Sequence, residues 1–326
     1  MPDYGHVLRF GTFITPSLER PRQAVEGAQL SEQLGFDLVT FQDHPYQPAF
    51  HDTWTLMTWI AASTSRIQIA GNVLNLPLRP PAVLARAAVS LSLLSKGRFS
   101  LGLGAGGFME AIEAMGGRRL SPGQSVDALG EAIDVIRALW DPSPRGPVRA
   151  GGTWYQIDGA KPGPRLANDI PIWLGALKPR MQRLIGQKAD GWLPSLQYLP
   201  QGGLAAGNRA IDGAATEHDR DPREITRLLN IPPGLPAEEL VRLAVEDGVS
   251  VFILASDDPP VWEEFAEDVI PTVRSSVEAE RAGQAAHLTG APLMGSNGPG
   301  VAPSRQSWKG PTNNERGTEM TSGDNR

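Results

Sequence analysis

Short apolar runs alternate along this chain with longer stretches whose apolar positions recur every three to four residues. The short runs read as strands and the longer ones as helices that bury one face. The first strand is Leu8–Ile14. A helix from about Pro21 follows, with Val25, Ala28 and Leu34 on one face and Gly35 as its stop. The second strand, Asp37–Phe41, ends in Gln42-Asp-His-Pro45. Asp52 then caps a helix with Trp54, Met57 and Ala61 on one side. Strand Arg66–Ala70, a helix over Ala82–Leu94 and strand Phe99–Gly104 come next. Ser121-Pro-Gly-Gln124 opens the longest helix, which buries Val126, Leu129, Ile133, Ile136 and Trp140.

The second half repeats the alternation after a Pro/Gly-rich insert, Asp141–Asp169, with a small hairpin expected around Thr153–Gln156. Strands are expected at Pro171–Gly175, Gly191–Pro194, Ile225–Ile231 and Val249–Leu254. Helices lie between them near Arg180–Lys188, Ala205–His218 and Ala237–Asp247. A last helix after Asp258-Pro-Pro keeps Phe265, Val269 and Val273 inward. Eight strands in strict alternation with helices favour an α/β fold, a (β/α)8 TIM barrel with insertions, over an open sheet. That barrel is expected to occupy residues 1–282. From Gly283 the periodicity dissolves into Gly, Ser, Pro, Asn and Thr, so residues 283–326 are expected to form a disordered C-terminal tail.

Composition narrows the chemistry. The chain has 326 residues and no cysteine, which excludes disulfides, zinc–thiolate sites, iron–sulfur clusters and cysteine nucleophiles. A net charge of −6 argues against non-specific nucleic-acid binding, despite 25 Arg against 5 Lys. No apolar run is long enough to span a bilayer and Met1-Pro-Asp-Tyr does not open a signal peptide. The expectation is a soluble cytoplasmic protein with a small-molecule substrate, no nucleic-acid or membrane partner, and a homodimer as its assembly. No His/Asp/Glu cluster has metal-ligand spacing, so no metal site is expected. His6, His51, His218 and His287 read as solvated loop or helix-surface residues.

Three strand ends carry unusual residues. Gln42-Asp-His-Pro45 places two ionisable groups after strand two, and Ala70-Gly-Asn-Val-Leu-Asn75 forms a polar bend after strand three. Gly102, Gly104 and Gly107 satisfy G-x-G-x-x-G after strand four. A dinucleotide-binding turn would place that pattern after the first strand, with an acidic residue about twenty positions on at a strand end. Three strand–helix units precede it here, and Asp127 lies inside a helical pattern. The glycines therefore suit a phosphate-sized nest in another βα architecture. In a barrel, adjacent strand ends converge on one cavity, so the three ends are expected to share a ligand.

The order and spacing of several segments resemble the bacterial luciferase-like family of flavin- and deazaflavin-dependent oxidoreductases over roughly residues 7 to 275. They are Phe10-Gly-Thr-Phe, Gly35-Phe-Asp, Asp43-His-Pro, Asp52-Thr-Trp-Thr, Ala61-Ala-Ser-Thr-Ser-Arg-Ile, Pro80-Pro-Ala-Val-Leu-Ala, Gly97 through Gly106 and Pro171-Ile-Trp-Leu-Gly-Ala. The resemblance implies a luciferase-like barrel with a non-proline cis peptide at Asn72-Val73 behind a tricyclic ring. It implies that Gly104, Ala105, Gly106 and Gly107 hold the ribityl phosphate, and that Gly175, Ala176 and Leu177 back the same cofactor. Asp43 would bond the ring or ribityl hydroxyls, and His44 would be the catalytic residue near the reactive ring position. The cofactor is coenzyme F-420 or FMN, and Asp43-His44 with the Gly-Asn-Val bend lies closest to the deazaflavin branch. The implied activity is hydride transfer between F-420 and a small organic substrate. The alternatives are an FMN-dependent monooxygenase using molecular oxygen and a non-catalytic flavin-binding barrel. One departure stands out: sugar-phosphate dehydrogenases of that branch carry a Glu after the glycine loop, where this chain has Phe108-Met109. The substrate pocket therefore reads as apolar.

Overall fold

The computed structural model describes residues 3–143 and 146–289. Eleven strands are present among the described residues: β1 (Arg9–Ile14), β2 (Leu38–Phe41), β3 (Gln68–Gly71), β4 (Leu74–Asn75), β5 (Phe99–Gly104), β6 (Val148–Gly151), β7 (Gln156–Ala160), β8 (Ile172–Leu174), β9 (Gly191–Trp192), β10 (Thr226–Ile231) and β11 (Val251–Ala255). The helices are α1 (Gln23–Gln33), α2 (Thr53–Ser63), α3 (Pro81–Leu94), α4 (Met109–Ala114), α5 (Pro122–Trp140), α6 (Pro179–Lys188), α7 (Gly203–Thr216), α8 (Ala237–Asp247), α9 (Pro259–Glu264) and α10 (Ile270–Thr289). Strands β1, β2, β3, β5, β8, β9, β10 and β11 pair in that order, all parallel, and β11 closes back on β1. The fold is thus a closed (β/α)8 barrel.

Local chemistry sets the helix starts. The Ser121 Oγ accepts the Gln124 N–H and Gln124 Oε1 accepts the Ser121 N–H, a reciprocal capping box at α5. Asp52 Oδ1 accepts the Thr55 N–H at 2.9 Å and caps α2. Gly35 takes a φ of +89° after α1, a conformation that favours glycine.

Two apolar layers form the core. Leu38, Ala70, Trp173, Leu193, Leu228, Val251 and Ile253 fill the barrel, with Phe13 and Val73 packed against them and partly exposed. The larger layer lies between strands and helices and includes Phe10, Ile69, Leu101, Ile133, Ile172 and Phe252. Near the start of β10 a buried Arg227 donates to Asn208 Oδ1 at 2.7 Å and Asp212 Oδ1 at 2.5 Å, and sits 4.4 Å over the Tyr4 ring. Strand starts form the stabilising end of such a barrel, away from the functional mouth.

The insert after α5 forms the antiparallel hairpin β6–β7. Glu131 on α5 accepts the N–H groups of Thr153, Trp154 and Tyr155 at 2.9, 2.6 and 3.0 Å, which pins the tip to that helix. The last helix differs from its expected form: α9 gives way to a wider turn over Phe265–Val269 before α10. Helix α10 also runs past Gly283 to Thr289, and the rest of the expected tail lies outside the described residues. No described helix is long and apolar enough to cross a membrane.

Candidate active site

The C-terminal ends of β2, β4, β5 and β8 build the mouth. After β2, the Asp43 carboxylate accepts Arg79 Nε–H at 2.7 Å and Nη2–H at 2.8 Å, and the Asn75 N–H at 2.8 Å. Arg79 Nη2 also donates to Asp52 Oδ2 at 2.8 Å, tying the loop to the start of α2. Burial alone would lower the Arg79 pKa, but its bonds to Asp43 and Asp52 outweigh that and raise it. Asp43 has no side-chain surface exposed. The buried ion pair fastens the loop after β2 to the segment after β4.

His44 is half-buried beside this anchor. Its Nδ1 shares a hydrogen bond of 2.7 Å with the Tyr46 hydroxyl, and its Nε2 bonds no described residue. The rings of His44, Tyr46 and Phe108 meet edge to face, with centroids 5.4 to 5.9 Å apart. Burial pushes the His44 pKa down, partly offset by the Asp43 charge, so the imidazole is neutral at neutral pH. Burial and then the Asp43 charge push the Tyr46 pKa up, so its hydroxyl stays protonated. Asn75 Oδ1 is buried without a partner.

The expected cis peptide is present at Asn72-Val73. It lies where β3 hands over to β4 beside β5, with one extra residue on the β3–β4 side, a bulge in the barrel wall. Across the barrel, Asn72 Nδ2 donates to Asn230 Oδ1 at 2.7 Å and Asn230 Nδ2 returns a bond to Asn72 Oδ1 at 3.2 Å. Asn230 also donates to Ser195 Oγ at 3.1 Å, and Asn72 to Thr40 Oγ1 at 3.2 Å. Both Asn side chains are thereby held in one orientation.

The glycines of β5 answer mainly to this bulge. A Cβ on Gly102 would sit 1.9 Å from the Gly71 carbonyl oxygen, and one on Gly104 would sit 2.6 Å from Val73 Cγ2. Gly104 is buried, and its missing side chain makes room for Val73. The open part of the loop is Ala105–Gly107. Gly106 has a φ of +87° and leaves space for Pro77 and Ile112, and Gly107 is exposed with open space around it. The N–H groups of Gly106 and Gly107 donate to no described residue, the unpaired condition an anion would satisfy. Gly175 abuts the Val73 methyls at 3.3 and 3.4 Å. Ala176 is buried and gives its carbonyl to Trp192 Nε1 at 2.8 Å, whereas Leu177 is exposed. Val73, Gly104 and Gly175 thus converge in one place, and Phe108 joins the glycine loop to His44. Tyr46, Phe108, Arg79, Ser195 and Asn230 are further site residues with no pattern of their own in the sequence.

The profile of the family described as luciferase-like monooxygenase matches residues 4–289. The chain belongs to that family. Its relatives include an F-420-dependent glucose-6-phosphate dehydrogenase from Amycolatopsis mediterranei (strain U-32), 34% identical over 53% of this chain and 53% of that protein. The chain thus matches about half the length of that relative. A protein of the same description from Microbacterium testaceum (strain StLB037) is 30% identical over 77% of this chain and 81% of its own. Among solved structures, an F-420-dependent secondary alcohol dehydrogenase in complex with an F-420–acetone adduct superimposes with a TM-score of 0.73. It is 21% identical, over 82% of this chain and all of that one, a likeness of fold. Luciferase-like membership therefore rests on nearly the whole barrel.

Proposed function

We propose that this luciferase-like chain is an oxidoreductase that uses coenzyme F-420 to move a hydride to or from a small, uncharged organic substrate. The observation that carries the reading is the position of His44, neutral and with Nε2 unengaged, against Phe108 at the end of a loop with unpaired N–H groups. The family and the F-420-dependent relatives support the choice of cofactor.

The residues present fit such a group. Gly106 and Gly107 offer backbone donors to a phosphate, Val73 supplies a partly exposed apolar floor, and Leu177 lies at the neighbouring strand end. When bound, a deazaflavin exchanges a hydride and does not activate oxygen. His44 supplies the proton half of the reaction: Nε2 takes the hydroxyl proton as an alcohol becomes a carbonyl and returns it in reduction. Tyr46 holds Nδ1, so that Nε2 is the atom presented to the mouth. Tyr46 and Phe108 make that wall aromatic, which suits an uncharged substrate better than a phosphosugar.

Titration of the protein with F-420 and with FMN, followed by fluorescence, tests the reading. Saturable micromolar F-420 binding with alcohol-dependent reduction is expected. Tight FMN binding with oxygen consumption would replace it by a monooxygenase, and binding of neither would remove the enzymatic reading.

A further inference from the structure

A concave site lies outside the mouth. A cleft of about 390 Å³ opens between the loop Leu76–Pro80, the segment Met115–Leu120, the hairpin tip and α5. That volume lies within the range of small-molecule sites. Its walls are apolar and aromatic, chiefly Leu78, Met115, Leu120, Trp154 and Tyr155. One charged side chain lines it, Arg118.

Two features make the cleft a built site. The aromatic wall is held in place: Glu131 accepts three N–H groups at the hairpin tip, and Arg118 Nη2 donates to the Trp154 carbonyl at 2.6 Å. The guanidinium also lies 5.1 Å over the Tyr155 ring. Moreover, Arg118 has no carboxylate within ion-pair distance among the described residues, whereas the adjacent Arg119 is engaged by Glu110 and Glu113 at 2.6 and 3.0 Å. Glu131 lines the neighbouring surface and not this cleft. A guanidinium with open donors beside an aromatic wall matches a carboxylate carried on a compact apolar body.

We propose that this cleft binds an apolar organic acid, with the carboxylate on Arg118 and the hydrocarbon body between Trp154–Tyr155 and Leu78–Leu120. The site is separate from the cofactor reading and does not depend on it. It adjoins the mouth through Pro77, which lies 2.9 Å from where a Cβ on Gly106 would stand.

Calorimetric titration of the full chain, free of coenzyme, with phenylacetate and with its uncharged amide phenylacetamide tests the proposal. Saturable phenylacetate binding is expected, weakened about tenfold or more by Arg118→Met, with phenylacetamide affinity unchanged by that substitution. Leu120→Trp, at a half-buried position, narrows the cleft and weakens both ligands while the melting temperature holds. Absence of saturable phenylacetate binding, or binding indifferent to both substitutions, overturns the proposal. Equal loss of acid and amide in Arg118→Met would overturn the charge recognition.

Discussion

Asp43 and Arg79 meet through two parallel hydrogen bonds of 2.7 and 2.8 Å, with the Asp43 side chain fully covered and Arg79 only 17% exposed. Removing one partner of such a pair leaves the other charge buried alone, at a cost of about 3–5 kcal/mol. Arg79→Ala is therefore expected to lower unfolding free energy by about that amount in urea titration. A loss under 1 kcal/mol would show that water reaches Asp43 readily.

His44→Asn keeps a polar side chain but cannot exchange a proton. Coenzyme binding should survive while turnover falls by about 10²–10⁴-fold. Tyr46→Phe removes the bond at Nδ1, leaves the ring contacts, and should lower kcat by about 10–100-fold through misorientation. Single-turnover rates beside coenzyme affinity separate the two effects. An unchanged rate in His44→Asn would assign the proton to another group.

Two glycines close in sequence should behave oppositely. At Gly102 a methyl group would meet the Gly71 backbone oxygen at 1.9 Å, and a backbone oxygen cannot swing aside. Gly102→Ala should cost about 3 kcal/mol or abolish folding, whereas Gly107→Ala, in open space, should stay within about 0.5 kcal/mol. Thermal melts of the two variants compare them directly.

Acid stability follows from two histidines. Burial is the main cause that lowers the pKa of both His44 and His6; His6 is half-buried against the Arg223 carbonyl and not solvated as its sequence context suggests. The unfolded chain then binds more protons than the folded one below about pH 6.5. The stabilisation is complete above that pH and fades as pH falls through the folded values. Melting temperatures measured down the acid range should fall less steeply in His6→Asn than in the parent. Parallel curves would mean that carboxylates govern acid unfolding.

The barrel was legible because its signals are local. Alternation, the Ser121–Gln124 box, the Asp52 cap and the Gly35 stop each act within one turn, and the structure keeps all of them. Helix α4 and the two-residue strand β4 were missed, being too short to show a period. The site was legible only where a strand end carried unusual residues. Asn230 and Ser195 reach Asn72 through barrel closure, and Arg79 reaches Asp43 across the mouth, so neither partnership leaves a spacing to read. The glycine pattern was visible but its cause was not: Gly102 and Gly104 yield to residues some thirty positions earlier, a relation that exists only in three dimensions.

The crowding around Val73 also binds the histories of distant positions. Gly71 would press a side chain into Leu74, Gly102 into Gly71, and Gly104 and Gly175 into Val73. Gly71, Gly102 and Gly104 cannot gain a methyl group while the bulge keeps its shape, whereas at Gly175 Val73 need give by only a few tenths of an ångström. The bulge cannot relax one residue at a time, because Asn72 is braced from across the barrel by Asn230. Three glycines and an asparagine pair thus form an epistatic block, in which a substitution harmless in a bulge-free barrel is damaging here. Side chains outside that block, such as the exposed Phe108 and Leu177, are free of this steric constraint.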